Sequence, residues 1–368
     1  MKEIIFFNSS LRGGGVETVL KNILKYIEIE NFKIKVILFD EFEDNDLNKT
    51  FSEKNIEIIA YKIKKFNIKN PLNYLIQTFQ ILCLYFKIKK VINEESILIN
   101  MNIMNFQQNS LFKLLKNKKK IGWLHCDLTQ YVNSYHYKLR KIFWKEYIKI
   151  IIVSKEALDV FSIYNKKLKN KAHYIPNFVD RKEIEKKSNE ELNIKESYFL
   201  FVGRLSSEKN LEVLIESYKQ ADVSEKLFLI GDGPEKKFLK EMVIEKKIEE
   251  KVKFLGHKNN PYKWMKNAKA LILTSKMEGL PMVLIEALFC NTLLISSDCK
   301  SGPKEILENK YGILFPVGKI ECLAKIIKKA SYDIEYRNDI IKNLDEKKQE
   351  YTKEVVMKEI VSLLKEEL

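Results

Sequence analysis

Short apolar runs alternate with longer amphipathic stretches along almost the whole chain. In the first half the runs fall at Glu3–Asn8, Ile34–Phe39, Ile97–Asn100, Lys120–Leu124, Lys149–Val153 and Ala172–Ile175. Helical periodicity falls at Val16–Ile27, Leu72–Lys89, Phe106–Leu115 and Lys155–Ile163. The second half repeats the pattern. Its strands read at Tyr198–Val202, Lys226–Ile230, Val252–Leu255, Ala270–Thr274, Thr292–Ser296 and Gly312–Leu314, and its helices at Asn210–Tyr218, Glu235–Glu245, Met282–Phe289 and Ile320–Ala330. Such alternation predicts α/β architecture with parallel sheets. A polar, charged stretch over Arg181–Glu196 follows Pro176-Asn177 and predicts a domain seam there. The expected division is 1–176, 177–351 and a terminal helix over 352–368. That helix carries Val355, Val356, Ile360, Leu363 and Leu364 on one side and is expected to pack back across the first domain.

Composition narrows the class. The 368 residues are 45% hydrophobic and 31% charged, enough for two separate cores. The five cysteines (Cys83, Cys126, Cys290, Cys299, Cys322) form no C-x-x-C pair, which argues against a disulfide framework or a zinc site and suits a reducing compartment. The apolar run Ile4–Phe7 is too short for a signal-peptide core. No run approaches the ~20 apolar residues that span a bilayer. Ile81–Phe86 is soon closed by Lys87, Lys89 and Lys90. A cytoplasmic protein is expected, held at the inner face of the membrane without crossing it.

The charge of +15 is unevenly spread. Residues 1–180 hold 30 Lys+Arg against 18 Asp+Glu, whereas 181–368 hold 35 against 32. Within 62–155 the count is 18 against 4. Biased composition alone would make both halves equally basic, so the first half is expected to present a face to something anionic. Nucleic acid, anionic lipid and a diphosphate-bearing acceptor all qualify. The basic segment lacks any nucleic-acid-binding motif, which disfavours the first.

The most informative run is Ser275-Lys-Met-Glu278-Gly279-Leu280-Pro281-Met282-Val283-Leu-Ile-Glu286-Ala-Leu-Phe289. It joins an apolar strand to a helix. Pro281 suits the first helical position, and the helix start offers free N–H groups to a phosphate. Two glutamates at this spacing are common by themselves; the surrounding E-G-L-P-x-V-L-I-E-A-L is far rarer. A second motif, Gly203-Arg204-Leu-Ser-Ser-Glu-Lys209, stands between a strand and a helix. Its short loop can turn an Arg fork and a Lys point charge toward one anion. Gly231-Asp-Gly-Pro and Gly256-His257 mark the ends of the next two strands. In the first half, Arg12-Gly13-Gly14-Gly15-Val-Glu17 follows the first strand, and His125 ends the strand that contains Trp123. The glycine spacing is not that of a dinucleotide fingerprint. Asp44-Asn45-Asp46 spells a D-x-D, but it lies in an acidic stretch and reads as a surface loop.

Together these motifs resemble the retaining glycosyltransferases of family 4, whose E-x7-E signature matches Glu278 and Glu286. The resemblance is strong over 198–310. It implies the GT-B arrangement, two Rossmann-like domains facing each other across a cleft. It implies metal-independent transfer from a nucleotide-sugar, in the first place a UDP-sugar, with no cofactor. Arg204, Lys209 and the amides of Leu280–Met282 would stabilise the leaving diphosphate. Glu278 would hold the sugar, Glu286 the ribose, and His125 would orient the sugar. Gly14, Gly15, Gly203, Gly231, Gly256, His257, Ser275, Gly279, Pro281 and Val283 would line the donor. Glu17 would be an acceptor-side contact or a first-turn partner of the helix dipole. Ser296–Ile306 resembles enzymes that add hexoses or N-acetylhexosamines to lipid-linked bacterial glycans, with Gly302 starting another helix near the donor. The implied partners are a glycan acceptor on a polyprenyl diphosphate and an anionic membrane surface, in the synthesis of surface polysaccharide such as capsule or O-antigen. A nucleotide-sugar epimerase or hydrolase of the same fold is the rival enzyme. One departure stands out: the family's P-N-G-V-D seam reads Pro176-Asn177-Phe178-Val179-Asp180. Phenylalanine does not easily take the positive φ open to glycine, which bears on the seam and its closure rather than on the donor site.

Overall fold

The computed structural model describes residues 2–367 apart from 12, 31, 41–49, 63–70, 130 and 133. Asp44-Asn45-Asp46 and Arg12 lie outside the described residues. The chain forms two compact units: Met1–Pro176 together with Val356–Leu368, and Asn177–Val355.

The first unit is built on a seven-stranded parallel sheet. Its strands are β1 (Lys2–Asn8), β2 (Phe32–Leu38), β3 (Ile56–Ala60), β4 (Ile97–Asn100), β5 (Lys120–Leu124), β6 (Lys149–Ile152) and β7 (Ala172–Tyr174). They lie in the order β3-β2-β1-β4-β5-β6-β7. The second unit has six parallel strands: β8 (Tyr198–Val202), β9 (Lys226–Ile230), β10 (Val252–Gly256), β11 (Ala270–Leu273), β12 (Leu294–Ser297) and β13 (Ile313–Phe315). Their order is β10-β9-β8-β11-β12-β13. Each sheet therefore reverses its winding beside its first strand, at β1/β4 and at β8/β11. Such a switch point leaves a crevice at the strand C-terminal ends, where doubly wound sheets bind ligands. The central strands are wholly buried runs, as helices on both faces require.

Several elements among the described residues escape the apolar pattern, the helices Ile334–Ile341 and Leu344–Lys348 among them. β3 is a five-residue edge strand carrying Glu57. The helix Tyr135–Trp144 starts from a Ser134 cap. Tyr262–Asn267 spans only six residues. The charged stretch after the seam is a helix too, Arg181–Ser188, capped by Asp180. It buries little beyond Ile184, too little to register as periodicity.

At the seam Phe178 is buried and is absent from the residues with positive φ, so no glycine-like backbone is needed there. Val179 donates its N–H to the Tyr351 carbonyl at 3.0 Å and bridges to Thr352. Lys353 reaches Asp180 at 3.1 Å. The chain's first crossing between units is thus fastened close to its second.

The terminal helix Lys353–Lys365 gives its apolar side to the first unit, burying Val356, Ile360, Leu363 and Leu364. Lys149, at the start of β6, ion-pairs with Glu366 and Glu367. Leu364→Ala is expected to cost about 2–5 kcal/mol, as buried leucine truncations do. Denaturant unfolding measures this; an unshifted midpoint would place the helix outside the core.

Candidate functional site

The site in the second unit is assembled from loops that leave the two strands flanking the switch point. Gly203–Asn210 follows β8, and Thr274–Pro281 follows β11. Lys209 Nζ and Glu278 Oε1 lie 2.6 Å apart, both side chains less than one-fifth exposed. Buried Ser275 donates its hydroxyl to the same carboxylate oxygen at 2.5 Å. The Thr274 hydroxyl donates to the Lys209 carbonyl at 2.8 Å, and Lys276 N–H to the Glu208 carbonyl at 2.8 Å. Two loops 69 residues apart in sequence are therefore locked by backbone contacts as well as by charge.

A third loop supports them. Glu278 N–H donates to the Lys300 carbonyl at 2.9 Å, and Ser301 N–H to the Glu278 carbonyl at 3.1 Å. The Ser301 hydroxyl donates to the Gly279 carbonyl at 3.1 Å. Gly302 has φ 87°, and a Cβ there would meet the Gly279 oxygen at 2.3 Å. Only glycine lets this loop close on the strand-to-helix turn. From the seam, the Asn177 amide donates to the Leu280 carbonyl at 2.8 Å.

Pro281 is the cap rather than the first helical residue. Its ψ of 111° is extended, and the helix runs from Met282 to Phe289. The Pro281 carbonyl accepts the first turn's N–H groups from Leu284 and Ile285. Gly279, Leu280 and Met282 are buried and Val283 is half-buried.

Glycines terminate the neighbouring strands. Gly203 N–H donates to the Ile230 carbonyl and Gly231 N–H to the Gly256 carbonyl, each at 2.9 Å. At Gly231, with φ 136°, a Cβ would stand 1.9 Å from the Gly203 oxygen. The strand ends therefore form a side-chain-free wall. His257, just beyond it, is exposed. Arg204 is also exposed, and no hydrogen bond from it is seen among the described residues; its charge acts on Glu208.

Glu286 faces a different setting. The helix Met282–Phe289 turns it toward Tyr262, whose hydroxyl lies 3.5 Å from Glu286 Oε1. Burial raises its carboxyl to about 7 despite the Tyr262 hydrogen bond and the nearby Lys187 charge. Burial and the Glu278 charge likewise push the Cys299 thiol up to about 12, leaving it inert.

The remaining sequence candidates belong to the first unit. Gly14 caps the helix Gly15–Tyr26. Glu17, three residues on, folds back so closely that a Cβ on Gly14 would meet its carboxylate at 2.4 Å. This sets the carboxylate beside the helix N-terminus, where negative charge is favourable. His125 stacks on Trp123 with ring centroids 6.0 Å apart and hydrogen-bonds the Met101 backbone. Burial pulls its imidazole down to about 3, so it is neutral. Its Nε2 and the nearby Trp123 Nε1 and Asp127 Oδ1 are buried with no hydrogen-bond partner among the described residues.

Ser301, Asn177 and Tyr262 escape sequence reasoning. Each acts on a partner at least 22 residues away, so its role is set by packing rather than by neighbouring residues. Among the described residues no cluster of His, Cys, Asp and Glu is arranged to hold a metal.

The Glu286 environment fixes a sign. A folded-state carboxyl raised to about 7 from its usual 4.5 favours the protonated form. Its stability contribution is full below about pH 4.5 and is lost as pH rises through 7. Glu286→Gln is therefore expected to be more stable than wild type at pH 8, with the gain vanishing near pH 5. Each kcal/mol would appear as about 2–4 °C in Tm for a domain of this size. Equal melting shifts at both pH values would contradict the assignment.

The family model described as glycosyl transferases group 1 matches residues 180–347, the segment that carries the ion pair and the glycine wall. An uncharacterised glycosyltransferase of Methanocaldococcus jannaschii is 33% identical over 275 residues, 68% of each chain. The N-acetylgalactosamine-N,N'-diacetylbacillosaminyl-diphospho-undecaprenol 4-alpha-N-acetylgalactosaminyltransferase of Campylobacter jejuni is 27% identical, over 86% of this chain and 87% of its own. Anabaena HepE, solved with UDP and glucose, superposes with a TM-score of 0.79 at 18% identity over all of both chains. That likeness places the two Rossmann-like domains in the GT-B fold. The chain belongs to the group 1 glycosyl transferases.

Proposed function

We propose that the protein is a retaining, metal-independent family 4 glycosyltransferase that moves a hexose or N-acetylhexosamine from a UDP-sugar to a lipid-linked glycan in bacterial surface-polysaccharide synthesis. The observation that carries this reading is the Lys209–Glu278 pair, held at the switch point between β8 and β11 beside glycine-lined strand ends. A diphosphate needs cations and N–H donors there. Lys209, the exposed Arg204 and the start of the helix Met282–Phe289 supply them. The UDP and glucose bound by HepE and the diphospho-undecaprenol acceptor of the C. jejuni enzyme support the substrate classes.

In this reading Glu278 neutralises Lys209 while the site is empty. An arriving diphosphate takes over the ammonium, and the released carboxylate turns to the sugar hydroxyls. Arg204 hydrogen-bonds the diphosphate. Glu286 accepts hydrogen bonds from the ribose diol, which favours its ionised form. The wall at Gly203, Gly231 and Gly256 admits the nucleotide close to the backbone, with His257 at its rim. No protein carboxylate is assigned as base; the departing phosphate takes the acceptor's proton. Positioning and electrostatics then supply the rate enhancement. From the first unit, the family resemblance assigns the neutral His125 to the sugar and the Gly14–Gly15 loop to the donor diphosphate.

The direct test supplies UDP-sugars with a polyprenyl-diphosphate-linked acceptor and follows the product anomer by NMR. Retained configuration with EDTA-insensitive turnover is expected. Inverted product, or free sugar or an epimer from donor alone, would overturn the reading. Two substitutions should separate the roles. Arg204→Ala should weaken UDP binding and cut turnover about 100-fold. Glu278→Gln should cut turnover similarly while UDP binding holds or tightens, because Lys209 is freed. Thermal shift with UDP reports the binding side. UDP affinity should also rise with pH through about 7 in wild type and stay flat in Glu286→Gln.

A further inference from the structure

The helix Pro71–Lys89 packs one side into the first unit's core through Ile81, Leu84, Tyr85 and Ile88. Its opposite side is not polar. Phe79 is 66% exposed, Leu82 41% and Phe86 62%, and Cys83 lies exposed among them. At 100° per residue these four fall on one stripe about 100° wide. Lys90 continues the stripe just past the helix end. Lys87 and Lys89 project roughly 80° to either side of it. The helix holds no acidic residue; the nearest, Glu94 and Glu95, stand in the turn beyond. The helix Phe106–Leu114 packs beside it and adds exposed Lys113 and Leu114, and the turn after that helix adds exposed Lys116 and Lys118.

Two exposed phenylalanines on one short stripe cost hydration energy unless something covers them. A rim of lysines without acids selects an anionic cover. An apolar stripe bordered by cations is how a helix lies in a bilayer interface, aromatic rings among the acyl chains and ammonium groups at the headgroups.

We infer that the outer face of Pro71–Lys89 docks the protein on an anionic lipid bilayer, with Phe79, Leu82 and Phe86 inserted and Lys87, Lys89 and Lys90 at the headgroup phosphates. The inference rests on the lipid-linked acceptor only for its purpose; the docking itself is read from the helix. The full-length protein is mixed with vesicles of phosphatidylcholine containing 30% phosphatidylglycerol, or of phosphatidylcholine alone, and sedimented. Wild type is expected to co-sediment with the anionic vesicles, less so at high salt. Phe79→Ser with Phe86→Ser should lower partitioning at least tenfold, and Lys87→Glu with Lys90→Glu should abolish the preference for anionic lipid. Both variants should keep the wild-type thermal shift with UDP, which establishes that they fold. An environment-sensitive fluorophore on Cys83 should shift to the blue on vesicle addition. Undiminished binding by both variants, no binding by wild type, or a solution dimer broken by the Phe79/Phe86 pair without vesicle binding would each overturn the docking face. Vesicle binding by this helix in a protein that transfers no sugar to a polyprenyl-diphosphate acceptor would uphold the face and remove the acceptor reading.

Discussion

Everything in the second domain is arranged around a reversal in a parallel sheet. β8 sends its connection one way and β11 the other, so two loops part company at their carboxyl ends. A parted pair of loops is a crevice only if something holds its lips. Here the hold is an ammonium and a carboxylate 2.6 Å apart, each mostly withdrawn from water. Such a pair is a poor source of net stability, because desolvation offsets most of its Coulomb gain. It is better suited to being exchanged. A phosphate that replaces the carboxylate at Lys209 meets a site already desolvated and oriented, and the backbone contacts through Thr274, Lys276, Lys300 and Ser301 keep the loops in place while the charges change partners.

The same crevice sets its two carboxylates in contrasting surroundings. Glu278 has a cation and a hydroxyl at hand. Glu286, in the helix that follows, has a distant phenol and burial, and its carboxyl is raised to about 7. One strand-to-helix connection thus presents a carboxylate ready for exchange and another that awaits hydroxyl donors to become fully charged. Spacing alone cannot distinguish them; the difference comes from Lys209 and Tyr262, brought in from other parts of the chain.

That division explains how much the sequence reveals. Strand, glycine and helix follow one another within ten residues at Gly203, Gly231 and Gly279, so local punctuation exposes the crevice and the parallel architecture. Pro281 shows the limit of this: composition suggests the first helical residue, yet the extended ψ needed to leave β11 makes it the cap. β3 stayed hidden as a short edge strand, and Arg181–Ser188 because a helix with so small a buried side has no apolar rhythm. Gly302 was legible as a helix start, but not as the close contact that presses a third loop onto Gly279. Partners fixed by tertiary packing, such as Asn177 for Leu280, leave no mark in a linear reading.

The discontinuous first unit has a consequence for biosynthesis. Its sheet is laid down within the first 176 residues, but part of its hydrophobic interior belongs to Val356, Ile360, Leu363 and Leu364. On the ribosome, the later domain emerges with all its strands while the earlier one still waits for the helix Lys353–Lys365. A nascent chain therefore carries an unfinished amino-terminal lobe until residues 356–364 have emerged, and a stop before Val356 would injure the half of the molecule that was translated first.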